Sequence, residues 1–154
     1  MSIKIIDLNQ TYKIIKKKLN LKINKVLNSQ KFILGEEVEN LENSLSKYLN
    51  VKYSLGVSSG TDALILALMA CDIGKGDEVI TPAFNNIADL QSILSVGGKI
   101  VFSDVDKSLC LDPSKLEKLI TKKTRAIIVC DYGMRLANHN KIKLIAINNT
   151  DIIF

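Results

Sequence analysis

Ser58, Ser59, Gly60 and Thr61 have the residue types and order to bind an anion. Residues 53–57 read as an extended run and residues 61–69 as an opening helix. The turn between them would present free backbone N–H groups and the positive end of a helix dipole, which suits a phosphate. Gly60 carries no side chain to keep a ligand away from that backbone. The same residues also read as a plain helix N-cap, with Ser59 or Thr61 accepting a backbone N–H and no ligand involved. At this level both readings stand. Neither GxGxxG nor GxxxxGK[ST] occurs, which argues against a dinucleotide fingerprint and a P-loop.

Other candidates are weaker. Asp104 and Asp106 follow a predicted strand, and their alternation puts both on one face. Two carboxylates without a third ligand nearby favour a turn over a metal. Asp131-Tyr132-Gly133 also follows a predicted strand, as a substrate contact or a plain loop. His139 reads as a surface residue at a helix start. Cys71, Cys110 and Cys130 are far apart, with no CxxC and a single histidine, which excludes the usual zinc patterns. Cys71 and Cys130 each follow an apolar run and are expected to be reduced, buried small hydrophobes.

The elements that must position these residues change character along the chain. The first fifty residues are helical: Ile15, Leu19, Ile23, Val26 and Leu27 form one stripe, and Val38, Leu41, Leu45, Tyr48 and Leu49 another. From residue 53 short apolar runs alternate with helical ones. Strands are predicted at 53–57, 78–81, 99–103, 125–130 and from 151, and helices at 61–71, 87–96, 113–120 and 140–147. This alternation predicts an α/β fold with a mostly parallel sheet flanked by helices on both faces. Ligands in such sheets bind at the carboxyl ends of the strands, where the Ser59–Thr61 turn is expected.

With 154 residues, 47% of them hydrophobic, the chain can bury a substantial core. Its net charge of +5 comes mostly from lysines. Lys16-Lys17-Lys18 lie opposite Ile15, Leu19 and Ile23, so a solvated helix face is expected rather than a nucleic-acid contact. No apolar run is long enough to span a bilayer, and residues 1–7 lack the apolar core of a signal peptide, so a cytoplasmic protein is expected.

Several segments together carry a resemblance. Asp7-Leu8, Phe32-Ile33-Leu34-Gly35-Glu36-Glu37-Val38, Val57-Ser58-Ser59-Gly60-Thr61-Asp62-Ala63-Leu64, Gly76-Asp77-Glu78-Val79-Ile80-Thr81-Pro82 and Tyr132-Gly133 occur in one order. They resemble the N-terminal part of the DegT/DnrJ/EryC1/StrS nucleotide-sugar aminotransferases, and the resemblance covers nearly all of the chain. It implies an incomplete large domain of a fold-type I transferase that uses pyridoxal 5′-phosphate (PLP). On this reading residues 1–50 are an N-terminal helical segment, residues 51–154 are part of the PLP-binding domain, and the C-terminal domain is absent.

The resemblance implies that Ser59, Gly60 and Thr61 hold the cofactor phosphate and that Asn86 lies beside its ring. Relatives usually carry a stacking aromatic at the position of Asn86, and an amide offers no such face. Phe84 is the offset aromatic that could compensate. Histidine is common where this chain has Cys130.

The aspartate that pairs with the pyridine nitrogen, and the lysine that carries the cofactor covalently, would both lie beyond Phe154. No catalytic residue is therefore assigned, and no transaminase activity is expected of these 154 residues alone. The implied partners are a nucleotide-linked keto-sugar, an amino donor such as glutamate, and a second subunit, in a homodimer or with a full-length chain. The alternatives are a non-catalytic relative that associates with an intact aminotransferase subunit, and a small phosphate-ligand binder built on Ser59, Gly60 and Thr61.

Overall fold

The computed structural model describes residues 6–149 and 152–154. The chain divides into two compact units at the Gly56–Val57 junction. The first is helical. Helix α1 (Asn9–Ser29) ends where Gln30 turns left-handed and returns its N–H to the Val26 carbonyl. Helix α2 (Glu36–Leu49) begins after Gly35 with three glutamates in its first turn, where they complement the helix dipole. Gly35 is required by close approach: a Cβ there would stand 2.8 Å from the Lys31 carbonyl oxygen. Lys22 and Lys25 bridge to Glu37 and Glu36 at 3.2 and 2.9 Å, exposed pairs that add little. The α1 stripe is present but shallow. Leu19 is 39% exposed, against 82% for Ile14 off the stripe, and neither helix has a fully buried residue.

The second unit is the α/β part. Its elements are α3 (Gly60–Ala70), β1 (Glu78–Pro82), α4 (Ile87–Ser95), β2 (Lys99–Ser103), α5 (Pro113–Leu116), β3 (Thr124–Ile127) and α6 (His139–Asn148). The strands form a parallel sheet in the order β2-β1-β3. Ile153 adds a parallel bridge beyond β3, donating to the Arg125 carbonyl and accepting from the Ile127 N–H, both at 2.9 Å. Strand β1 is central and buried throughout.

The two-residue period of the strands sends neighbours to opposite faces. Val79 and Ala126 pack with Leu68, Ile73 and Ile93, from α3, the turn after it, and α4. Ile80 and Ile127 pack with Leu111, Leu116 and Ile142, on the side of α5 and α6. The expected parallel sheet with helices on both faces is therefore the observed architecture.

Three local expectations are corrected. Residues 53–57 form no strand. Gly56 instead donates its N–H to the Glu42 carboxylate on α2 at 2.7 Å, and no neighbouring strand pairs with the segment. Strand β3 stops at Ile127 rather than at Cys130. Ile128 still donates to the Ile80 carbonyl at 2.8 Å, but the next donor on β1 would be Pro82, which has no N–H. Helix α5 spans one turn, opened by the Asp112 cap with Pro113 after it, and residues 117–119 continue as a turn.

The cysteines are corrected as well. Cys110 is the buried one, at 1% exposure, while Cys71 and Cys130 are half-buried. Cys71 sits at the end of α3 and Cys130 beyond the paired part of β3, so neither has neighbours on all sides.

Candidate cofactor site at the carboxyl ends of the strands

Helices α3 and α4 pack side by side and run the same way. Leu68 and Ile93 share one cluster, and Met69, Ile73, Ser95 and Val96 line a single depression where the two helices end. Both helix N-termini therefore lie toward the carboxyl ends of the strands. Pro82 ends β1 four residues before the Asn86 cap of α4. This topology brings the predicted site residues Ser59, Gly60, Thr61 and Asn86 to the same end of the sheet, although no strand precedes the first three.

Ser59 is extended and caps α3, its hydroxyl oxygen accepting the Asp62 N–H at 3.1 Å. Its hydroxyl hydrogen goes to the Asp62 carboxylate at 2.9 Å, and Ser58 donates to the same carboxylate. These two bonds, Ser58 first, hold the Asp62 carboxyl below its usual range. The N–H groups of Gly60 and Thr61 and the Thr61 hydroxyl have no hydrogen-bond acceptor or partner among the described residues. Nothing lies within 4 Å of where a Gly60 Cβ would stand. The cap reading and the anion reading are thus compatible: Ser59 caps, and the next two N–H groups remain available.

Asn86 caps α4, its side-chain oxygen accepting the Ala88 N–H at 3.0 Å. The aromatic surface at this end comes instead from Phe84 and Tyr132. Their ring centroids are 4.9 Å apart, tilted by 60°, and both rings are partly exposed.

Sequence reasoning missed a buried polar cluster beneath this loop. Asp89, only 6% exposed, accepts from Thr81 Oγ1 at 3.3 Å and from the Asn85 side-chain amide. Burial pushes its carboxyl above the usual range, against those two bonds. Burial also raises the Cys130 thiol, reinforced by the charge of Asp89 and then by Cys110 and Asp131, with the Asn85 amide opposing. The available signal was an acidic residue inside the apolar run Ile87-Ala88-Asp89-Leu90.

The remaining candidates have structural partners. Asp131 accepts the Ala137 N–H and faces His139 Nε2, both at 2.8 Å, and these contacts hold its carboxyl low, the backbone bond first. His139 is the first residue of α6, half-exposed, as its reading expected. Asp106 accepts from the Ser108 N–H at 2.7 Å and closes a turn, beside which Val105 bridges to Leu111.

Residues 13–153 match the model of the DegT/DnrJ/EryC1/StrS aminotransferase family. The chain belongs to that family. It is 39% identical over 145 residues to the UDP-2-acetamido-2-deoxy-3-oxo-D-glucuronate aminotransferase of Pseudomonas aeruginosa, covering 94% of this chain and 40% of the relative. The crystal structure of Streptomyces venezuelae DesV, in complex with a ketimine intermediate, is similar at a TM-score of 0.91 and 32% identity, over 96% of this chain and 40% of that one. Bacillus subtilis NtdA with bound PMP is similar at a TM-score of 0.85 and 29% identity, over 99% and 39%. The chain thus spans about 40% of the length of the relatives it matches.

Proposed function

We propose that this chain is the N-terminal part of a PLP-dependent aminotransferase acting on a keto-sugar linked to a nucleotide, with an amino donor such as glutamate. The observation that carries the reading, within this family, is the open start of α3. There, among the described residues, two N–H groups and a hydroxyl stand without partners beside a glycine with nothing within 4 Å of its Cβ position. Those residues fit a phosphate. Gly60 and Thr61 offer N–H donors at the positive end of the helix dipole. Ser59 can turn its hydroxyl hydrogen from Asp62 to a phosphate oxygen while still capping α3. Asn86, the Phe84–Tyr132 pair and the exposed side of the loop would lie around the ring. When bound, the cofactor supplies the electron sink for amino transfer, and the protein's part is to bind and orient it. No lysine of this chain lies in a context matching the family's Schiff-base residue, so the 154 residues alone form no amino-sugar.

A titration with PLP and, separately, with inorganic phosphate tests the reading. Both probes should bind saturably. Gly60→Asp should abolish binding of both without unfolding the chain, because an acid in the first turn suits the helix dipole but repels phosphate. Equal binding by wild type and Gly60→Asp would refute the assignment.

A second reading, association with an intact aminotransferase subunit, is favoured by the apolar side chains exposed on the first unit. Ile14, Leu21, Leu41 and Tyr48 are all more than half exposed.

A further inference from the structure

We infer that Asp89, acting through Asn85, is the positioning residue that holds the loop of residues 83–86 in place at the cofactor site, an inference that rests on the cofactor reading above. The geometry is a relay. One carboxylate oxygen of Asp89 accepts from Thr81 Oγ1, which is fully buried on the central strand, and from the Asn85 amide. The other end of the Asn85 side chain, Oδ1, accepts the Asn86 N–H at 2.7 Å. The Asn86 side chain in turn accepts the Ala88 N–H at 3.0 Å. Both ends of the Asn85 amide are thereby committed, so neither that side chain nor the peptide it grips can rotate freely.

The loop so held carries Phe84, half-exposed against Tyr132, and Asn86, exposed at the start of α4. These are the groups that would face the ring. A carboxylate in an apolar helix run is unfavourable to bury. What it provides here is a single oxygen that takes two donors at once, one from the rigid strand and one from the loop. Because Asp89 is covered by the fold, it acts on a ligand only through Asn85.

The test compares Asp89→Ala, Asp89→Asn and Asn85→Ala in the full chain with two readouts. Amide hydrogen exchange is followed at Asn86 and Ala88 without cofactor, and affinities are measured for PLP and for inorganic phosphate. Asp89→Ala should speed exchange at Asn86 by roughly tenfold, the loss expected for a bond to a charged group. It should also weaken PLP binding several-fold while leaving phosphate binding at α3 unchanged. Asp89→Asn keeps an oxygen for both donors and should restore both readouts. Asn85→Ala should reproduce Asp89→Ala, and serves alone if that variant does not fold.

Exchange at Asn86 unchanged by removing either side chain would overturn the inference. So would a proportional loss of both affinities, or an Asp89→Asn variant as damaged as Asp89→Ala. A wild-type chain that binds neither probe refutes the cofactor reading instead, and the Asn86 exchange rates then still decide whether Asp89 holds the loop.

Discussion

Asp89 shows how one buried side chain links stability to pH. Burial raises its carboxyl pKa above the value in the unfolded chain. The folded state therefore holds the proton more tightly. That contribution is complete below the ordinary carboxylate range and is lost as pH rises through the raised value. Burial disfavours the ionised form of Asp89, an effect that the bonds from Thr81 and Asn85 oppose. Asp89→Asn, with its oxygen on the same donors, should raise Tm at pH 7. The gain should shrink toward nothing well below about pH 4, where the wild-type acid becomes protonated in both states. Thermal melts of both proteins across that range check this, and a pH-independent difference would rule it out. Asp131 has the opposite sign: its lowered carboxyl stabilises above the ordinary range and loses that effect as pH falls.

At the scale of elements, what was legible followed local chemistry. Residues 99–103 were predicted as a strand and are one, and α3, α4 and α6 fall within about a residue of their predicted bounds, because the switch from helical to extended apolar spacing is local. At the start of α3 the sequence offered Ser59 or Thr61 as the cap, and Ser59 is the one that serves. Ser59→Ala removes the acceptor for the Asp62 N–H and should destabilise the second unit by about 1 kcal/mol, measured by urea unfolding. An unchanged midpoint would mean the cap is dispensable. Position in the sheet was not legible. The run 53–57 has strand composition but no partner strand, and β3 ends early because of a proline on its neighbour, a fact that no reading of β3 alone contains.

At the scale of the whole molecule, the first unit stands out for apolar surface. Ile14 and Tyr48 are 82% and 85% exposed, and neither helix buries a residue fully. Solvent-facing surface of that kind marks association. Light scattering after size exclusion should show the chain self-associated, or joined to an intact family aminotransferase when the two are co-expressed. A monomer that never co-purifies with such a subunit would remove the second reading.

The sequence by itself determined the alternation of short strands and helices, a parallel sheet with helices on both faces, a cap at the start of α3 from Ser59 or Thr61, and the family. These depend on residues close together in the chain, whose period and capping act locally. Only the tertiary structure decided that Asn86 serves as a cap, that Phe84 turns to Tyr132, that Cys110 rather than Cys71 or Cys130 is buried, and that Thr81, Asn85 and Asp89 join beneath the loop. Those outcomes depend on which strand lies beside which, and on which side chains the loops bring together at the carboxyl end of the sheet. Burial and partner choice of this kind are set by contacts between distant segments, which local pattern does not encode.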